Sequence, residues 1–149
     1  MSFKILVSTD GSKTAQKACH YAIGLAKRLD GSLTILSVID ARSLISQTVP
    51  ARATTVHIAE PAEDYLREAA QGYAGEIKNL CDRKGIRAKV LIIVGHPVEK
   101  IVKEAQRSKA DLIIMGSSGK SSLKATVLGS VTYGVLQSST KIPVLVIRR

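Results

Sequence analysis

"ADLIIMGSSGKSS", residues 110 to 122, decides how this chain is read. Asp111 introduces the apolar run Leu112–Met115, and a glycine-rich stretch follows at once. A short apolar run bounded by turn residues reads as a strand buried on both faces. The end of the stretch, Gly119-Lys120-Ser121, looks like the close of a phosphate-wrapping P-loop. The spacing excludes that motif: two residues separate Gly116 from Gly119 where four are required. So short a loop cannot ring a phosphate with successive N–H groups. Asp111 also precedes its strand, whereas the accompanying acidic signal of such enzymes follows one.

Outward from this stretch, apolar runs alternate with helix-period segments. Phe3–Val7, Leu33–Ile39, Ala88–Val94 and Val144–Ile147 read as four more strands. A helix is expected on Ala15, Ala18, Cys19, Ala22, Ile23, Ala26 and Leu29, stopped by Gly31. Residues 40 to about 60 hold no period and read as a long loop, with room for a short helical turn. A second helix is expected from Pro61, suited to a first turn, to about Lys84, with Gly85 as its stop. A third follows Gly95-His96-Pro97, and a fourth runs from near Ser130 to about Ser138. The pattern predicts one α/β domain over residues 1–149: an open, doubly wound, five-stranded parallel sheet with four main helices, Rossmann-like. Ligands of such sheets sit at strand carboxyl ends, where Ser8-Thr9-Asp10-Gly11-Ser12 and Gly116–Ser122 stand out.

Length and composition agree. The chain has 149 residues with 45% hydrophobic and 23% charged side chains, the profile of a soluble globular protein. No run approaches the roughly 20 apolar residues of a membrane span. The opening MSFKILVSTDG lacks a secretory pattern, so a cytoplasmic location is expected. Cys19 and Cys81 stand apart without metal spacing and read as reduced, buried thiols. The net charge of +10 favours anions. The basic residues are nevertheless scattered, and aromatics are few, so specific nucleic-acid binding is not expected. His96 reads as a helix-capping residue; His20 and His57 lack an obvious partner.

The pattern Gly116-x2-Gly119-x9-Gly129-Ser130 has a physical reading of its own. Gly116 leaves the sheet edge clear for a ligand. Gly119 permits a left-handed turn that points N–H groups inward. Gly129 admits a phosphate close to the backbone. Ser130 and Thr132 add hydroxyls at a helix start, whose dipole favours anions. The alternatives are a plain turn, and a simple N-cap at Ser130; Asp10 can likewise be only a turn former.

With KILVSTDGS, SVID, VGHP, ADLIIMGSSG, LGSVTYGVL and IPVLVI in this order, the whole chain resembles the universal stress protein family in its ATP-binding branch. The resemblance implies the adenine nucleotide alpha hydrolase-like fold. It places Ser8, Thr9, Asp10 and Val38 beside the adenosine, and Met115 and Gly116 toward ribose and phosphate. Ser118, Gly119, Gly129, Ser130, Val131 and Thr132 then hold the phosphates of ATP, or of AMP or ADP. Mg²⁺ or Mn²⁺ is expected on the phosphates, with no protein metal ligand and no catalytic residue. The resemblance further implies a stress-response regulator that pairs as a homodimer through Val144–Ile147. Family members often carry Arg or His where Ser118 stands, and Lys120 and Lys124 are the nearby cations in sequence. A slow ATP hydrolase and a charge-driven anion or nucleic-acid module are the alternatives.

Overall fold

The computed structural model describes residues 2–46, 55–119 and 128–149. The elements run β1 (Lys4–Ser8), α1 (Lys13–Leu29), β2 (Ser32–Asp40), α2 (Ala41–Ser46), α3 (Thr55–Arg83), β3 (Ala88–Gly95), α4 (Pro97–Arg107), β4 (Leu112–Gly116), α5 (Ser130–Gln137) and β5 (Val144–Ile147). The five strands form one parallel sheet in the order β3-β2-β1-β4-β5. This is the expected α/β class. Among the described residues no helix is long and apolar enough to cross a membrane.

The continuous apolar runs are explained by two cores. Along β1, Ile5 and Val7 face a cluster with Ala18, Ala22 and Ile23 of α1 and Ala74 and Ile77 of α3. Leu6, between them, faces the opposite cluster with Ile101 and Ala105 of α4 and Val135 of α5. In β4, Ile114 joins the first core while Ile113 and Met115 join the second. Side chains alternate across the pleat, so a strand covered on both faces must be apolar at every position.

Local signals set the helix ends. Gly85 (φ +72°) closes α3, with the Ile86 N–H donating to the Cys81 carbonyl at 2.9 Å. The stop after α1 differs from expectation. Asp30, not Gly31, takes the left-handed conformation (φ 52°). Gly31 is instead required by crowding: a Cβ there would stand 2.5 Å from the Phe3 carbonyl oxygen.

The region read as a long loop is shorter than expected. Asp40 accepts from the Arg42 N–H at 2.9 Å and starts the extra helix α2. The next helix starts at Thr55, so Pro61 lies inside it rather than in its first turn. The rest of that loop, residues 47–54, and the side chain of His57 lie outside the described residues.

The chain winds from β1 outward to β3, then returns to lay β4 on the other side of β1. The connections leaving β1 and β4 therefore part to opposite faces. Such a divergence opens a crevice at the carboxyl edge of the sheet.

Candidate functional site

A cavity of about 240 Å³ occupies that crevice. Its wall includes all twelve residues proposed from sequence: Ser8, Thr9, Asp10 and Val38 on one side, Met115, Gly116, Ser118 and Gly119 across from them, and Gly129, Ser130, Val131 and Thr132 at the start of α5. Lys120 and Lys124 lie outside the described residues.

The β1 side is locked by its own hydrogen bonds. The Thr9 N–H donates to the Leu36 carbonyl at 2.9 Å. Gly11 adopts φ +80° and donates its N–H to Thr9 Oγ1 at 3.1 Å. Asp10 Oδ1 accepts from the Ser12 N–H at 2.9 Å, and Ser12 Oγ caps α1 by accepting from the Ala15 N–H at 3.2 Å. Asp10 thus does act as a turn former. Tyr73 of α3 packs against the loop, where a Cβ on Gly11 would come within 2.6 Å of its ring. Its hydroxyl meets Ser37 Oγ at 2.6 Å, and burial pushes its pKa up.

The β4 side uses its glycines differently from the sequence reading. A Cβ on Gly116 would stand 2.9 Å from Thr14 Cγ2 and 3.1 Å from the Thr14 backbone. The α1 helix by itself already requires that glycine, which also lines the cavity. Gly119 is not left-handed; the left-handed glycines are Gly11 and Gly85. What a side chain on Gly119 would displace is Asp10 Oδ2, 2.5 Å from its Cβ position. A Cβ on Gly129 would press on Ser118 Cα at 3.2 Å. That glycine lets the loop and the helix start touch, and its N–H donates to the Ser117 carbonyl at 2.7 Å.

Two hydroxyl assignments also change. Thr132 is buried and donates to the Gly116 carbonyl at 2.7 Å, tying α5 to the end of β4. Ser130 is not an N-cap, because that position belongs to Gly129, which supplies no side-chain acceptor. Ser130, Val131 and Thr132 line the cavity, so the first turn of α5 borders it with the positive end of the helix dipole, and among the described residues no side chain caps that turn.

Four lining residues escaped the sequence reading: Ala15, Asp40, Pro97 and Ile101. Asp40 had a signal, since it lies two positions beyond Val38 in the same strand, on the same face. Pro97 and Ile101 are one turn apart on α4, an ordinary core spacing that carries no mark of a site. The Arg42 side chain hydrogen-bonds Asp40 through Nη2 at 2.9 Å and Nε at 3.2 Å, and holds its carboxyl below the usual range. His96 caps α4, with Nδ1 accepting from the Glu99 N–H over a long 3.5 Å, and does not line the cavity. Cys19 and Cys81 are buried free thiols, and burial pushes the Cys19 pKa up to about 12.

The arrangement suits an elongated, amphipathic anion. Val38, Met115, Ile101 and Val131 offer apolar walls, Asp10 and Asp40 place carboxylates in the wall, and the first turn of α5 brings the positive end of its dipole.

Comparison with known proteins agrees with this geometry. A family model described as the universal stress protein family matches residues 1–148. Universal stress protein MJ0577 of Methanocaldococcus jannaschii is 36% identical over 154 aligned positions, covering 98% of this chain and 94% of that protein. Its solved structure superposes with a TM-score of 0.85 over 100% of this chain and 97% of the other. MJ0531 of the same organism is 32% identical, over 98% of this chain and 82% of its own length. A universal stress protein solved in complex with cAMP is 25% identical, with a TM-score of 0.63 over 99% of this chain and 97% of that one.

Proposed function

The chain belongs to the universal stress protein family, and from that premise we propose that its carboxyl-edge cavity binds an adenine nucleotide: ATP, with AMP or ADP as shorter forms. The observation that carries this reading is the start of α5, which no side chain among the described residues caps, bordering a cavity whose wall also holds carboxylates and apolar side chains. Phosphates take the α5 amides, where charge-assisted bonds contribute on the order of 1.5–3 kcal/mol each. Val38 and its neighbours take the base, and Asp10 accepts from the ribose. The complex of a family member with cAMP supports a nucleotide of this chemistry. Mg²⁺ or Mn²⁺ would be held on the phosphates; among the described residues no group of three His, Cys, Asp or Glu side chains could hold it alone.

We assign a regulatory role rather than turnover. Asp10 Oδ1 is committed to the Ser12 N–H and the Asp40 carboxylate to Arg42, so neither is poised as a general base. Nucleotide state would act on a cytoplasmic homodimer built on β5. That strand ends the sheet, and Tyr133 and Leu136 of the adjacent α5 are exposed. The test is mass spectrometry of whatever nucleotide leaves the purified protein on denaturation, with calorimetric titration of ATP and AMP. A stoichiometric adenine nucleotide is expected. An empty protein that shows no heat with either nucleotide at millimolar concentration sinks the reading.

A further inference from the structure

A second cavity, of about 450 Å³, opens at the amino edge of the sheet, the edge opposite the nucleotide cavity. Strand register builds its floor. Lys4 of β1 pairs with Ser32 of β2, and Thr34, two positions further on, pairs with Lys89 of β3. Residues two apart on a strand share a face with their cross-strand partners, and here it is the face that α4 covers. Arg107 at the end of α4 and Lys109 in the turn beyond it line the other side. Thr34 is only 9% exposed, yet its hydroxyl has no hydrogen-bond partner among the described residues. A buried hydroxyl left unpaired is costly, so this one is placed for something that enters the cavity. The side chains of Lys4, Lys89 and Lys109 have no ion pair among the described residues either. Arg107 differs: it donates to the Glu104 carboxylate at 2.8 and 3.0 Å and is spent within the protein. Asp111 accepts from the Lys4 backbone N–H at 2.8 Å and does not line the cavity.

We propose that this amino-edge cavity is a second anion site, which binds the phosphate dianion, free or as the head of a small monoester. The three ammonium groups supply charged donors on flexible stems, and Ser32 and Thr34 supply neutral donors from the sheet. A tetrahedral oxyanion accepts from several such directions at once. The surplus of positive charge in the wall matches a dianion better than a single carboxylate. The recessed hydroxyl of Thr34 favours a terminal phosphate over the diester backbone of a nucleic acid, which stays at the rim. The site shares no lining residue with the carboxyl-edge cavity, so it stands or falls apart from the nucleotide reading.

The experiment titrates isotope-labelled protein with inorganic phosphate and, separately, with glycerol phosphate, at constant ionic strength in chloride, and follows the backbone amides by NMR. Saturable shifts are expected at Ser32, Thr34 and Lys109, resolved from any at Ser130, Val131 and Thr132. Whichever of the two anions binds these positions more tightly identifies the source, free ion or ester. Thr34→Val keeps the branched shape and should weaken phosphate at these amides about tenfold. In chloride alone it should melt no lower than the wild type, because it removes an unpaired buried hydroxyl. Lys109→Gly removes a cation at a left-handed position (φ 54°) that glycine adopts freely, so the fold is kept while phosphate weakens roughly three- to tenfold. ATP affinity at the carboxyl-edge cavity should be the same in both variants. Shifts that never saturate, or phosphate affinity unchanged in Thr34→Val, overturn the inference. So does a short DNA duplex that shifts the same amides more tightly and equally in Thr34→Val.

Discussion

Helices α1 and α5 both start at the carboxyl edge of the sheet, on either side of one cavity, yet they treat their free amides in opposite ways. The start of α1 closes on itself: Ser12 Oγ takes the Ala15 N–H, and Asp10 Oδ1 takes the Ser12 N–H. The start of α5 has Gly129 as its cap and no side-chain acceptor. Helix α4, with His96 as its cap, resembles α1. A protein-made cap contributes about 1 kcal/mol to a helix, so its lack at α5 among the described residues suits an outside anion there. The difference separates scaffold from site on the same edge.

The largest effect is expected where that difference is erased. Gly129→Val puts a branched side chain against Ser118 Cα, which is only 3.2 Å from the Cβ position. Losing two charge-assisted phosphate contacts predicts about a hundredfold or greater fall in ATP affinity by calorimetry. Gly24→Val, where nothing lies within 4 Å of the Cβ position, is the matched control and should bind as the wild type does. Equal affinity in the two variants would break the comparison.

A smaller, opposite effect is expected at α1. Ser12→Ala removes a cap that faces the protein rather than the cavity. Stability should fall by about 1 kcal/mol and the melting temperature by about 3 °C, with ATP affinity unchanged. A loss of affinity without a loss of stability would show that the two helix starts had been assigned the wrong way round.

A pH-dependent effect concerns the core behind the β1 loop. Burial raises the Cys19 pKa from 9.0 to about 12. The native state therefore favours the neutral thiol. This contribution is complete below the unfolded pKa and is lost as pH rises between those two values. Urea midpoints at about pH 8 and about pH 10.5 should show the wild type losing more stability than Cys19→Ala over that interval. Parallel curves for the two proteins would place the thiol in a more solvated setting than the structure shows.

Much of this was legible along the chain. Five apolar runs interleaved with helix-period segments could form only a parallel sheet covered on both sides, and the spaced glycines with Ser130 marked one cavity wall. The glycines' reasons were not legible. Gly116 answers to Thr14 and Gly119 to Asp10, and each partner lies about a hundred positions away in sequence. Pro97 and Ile101 carry ordinary core chemistry, so only their place beside the crevice marks them.

The sequence by itself determined the alternation of elements, their burial and the chemical character of the two loops, because periodicity and turn chemistry act between near neighbours. Only the tertiary structure decided the order of the strands, the meeting of the β1 and β4 loops and the reach of Arg149 to Ser118. Each of these is a contact between segments distant along the chain. Such contacts are fixed when both faces of the sheet are buried together, and no local pattern encodes them.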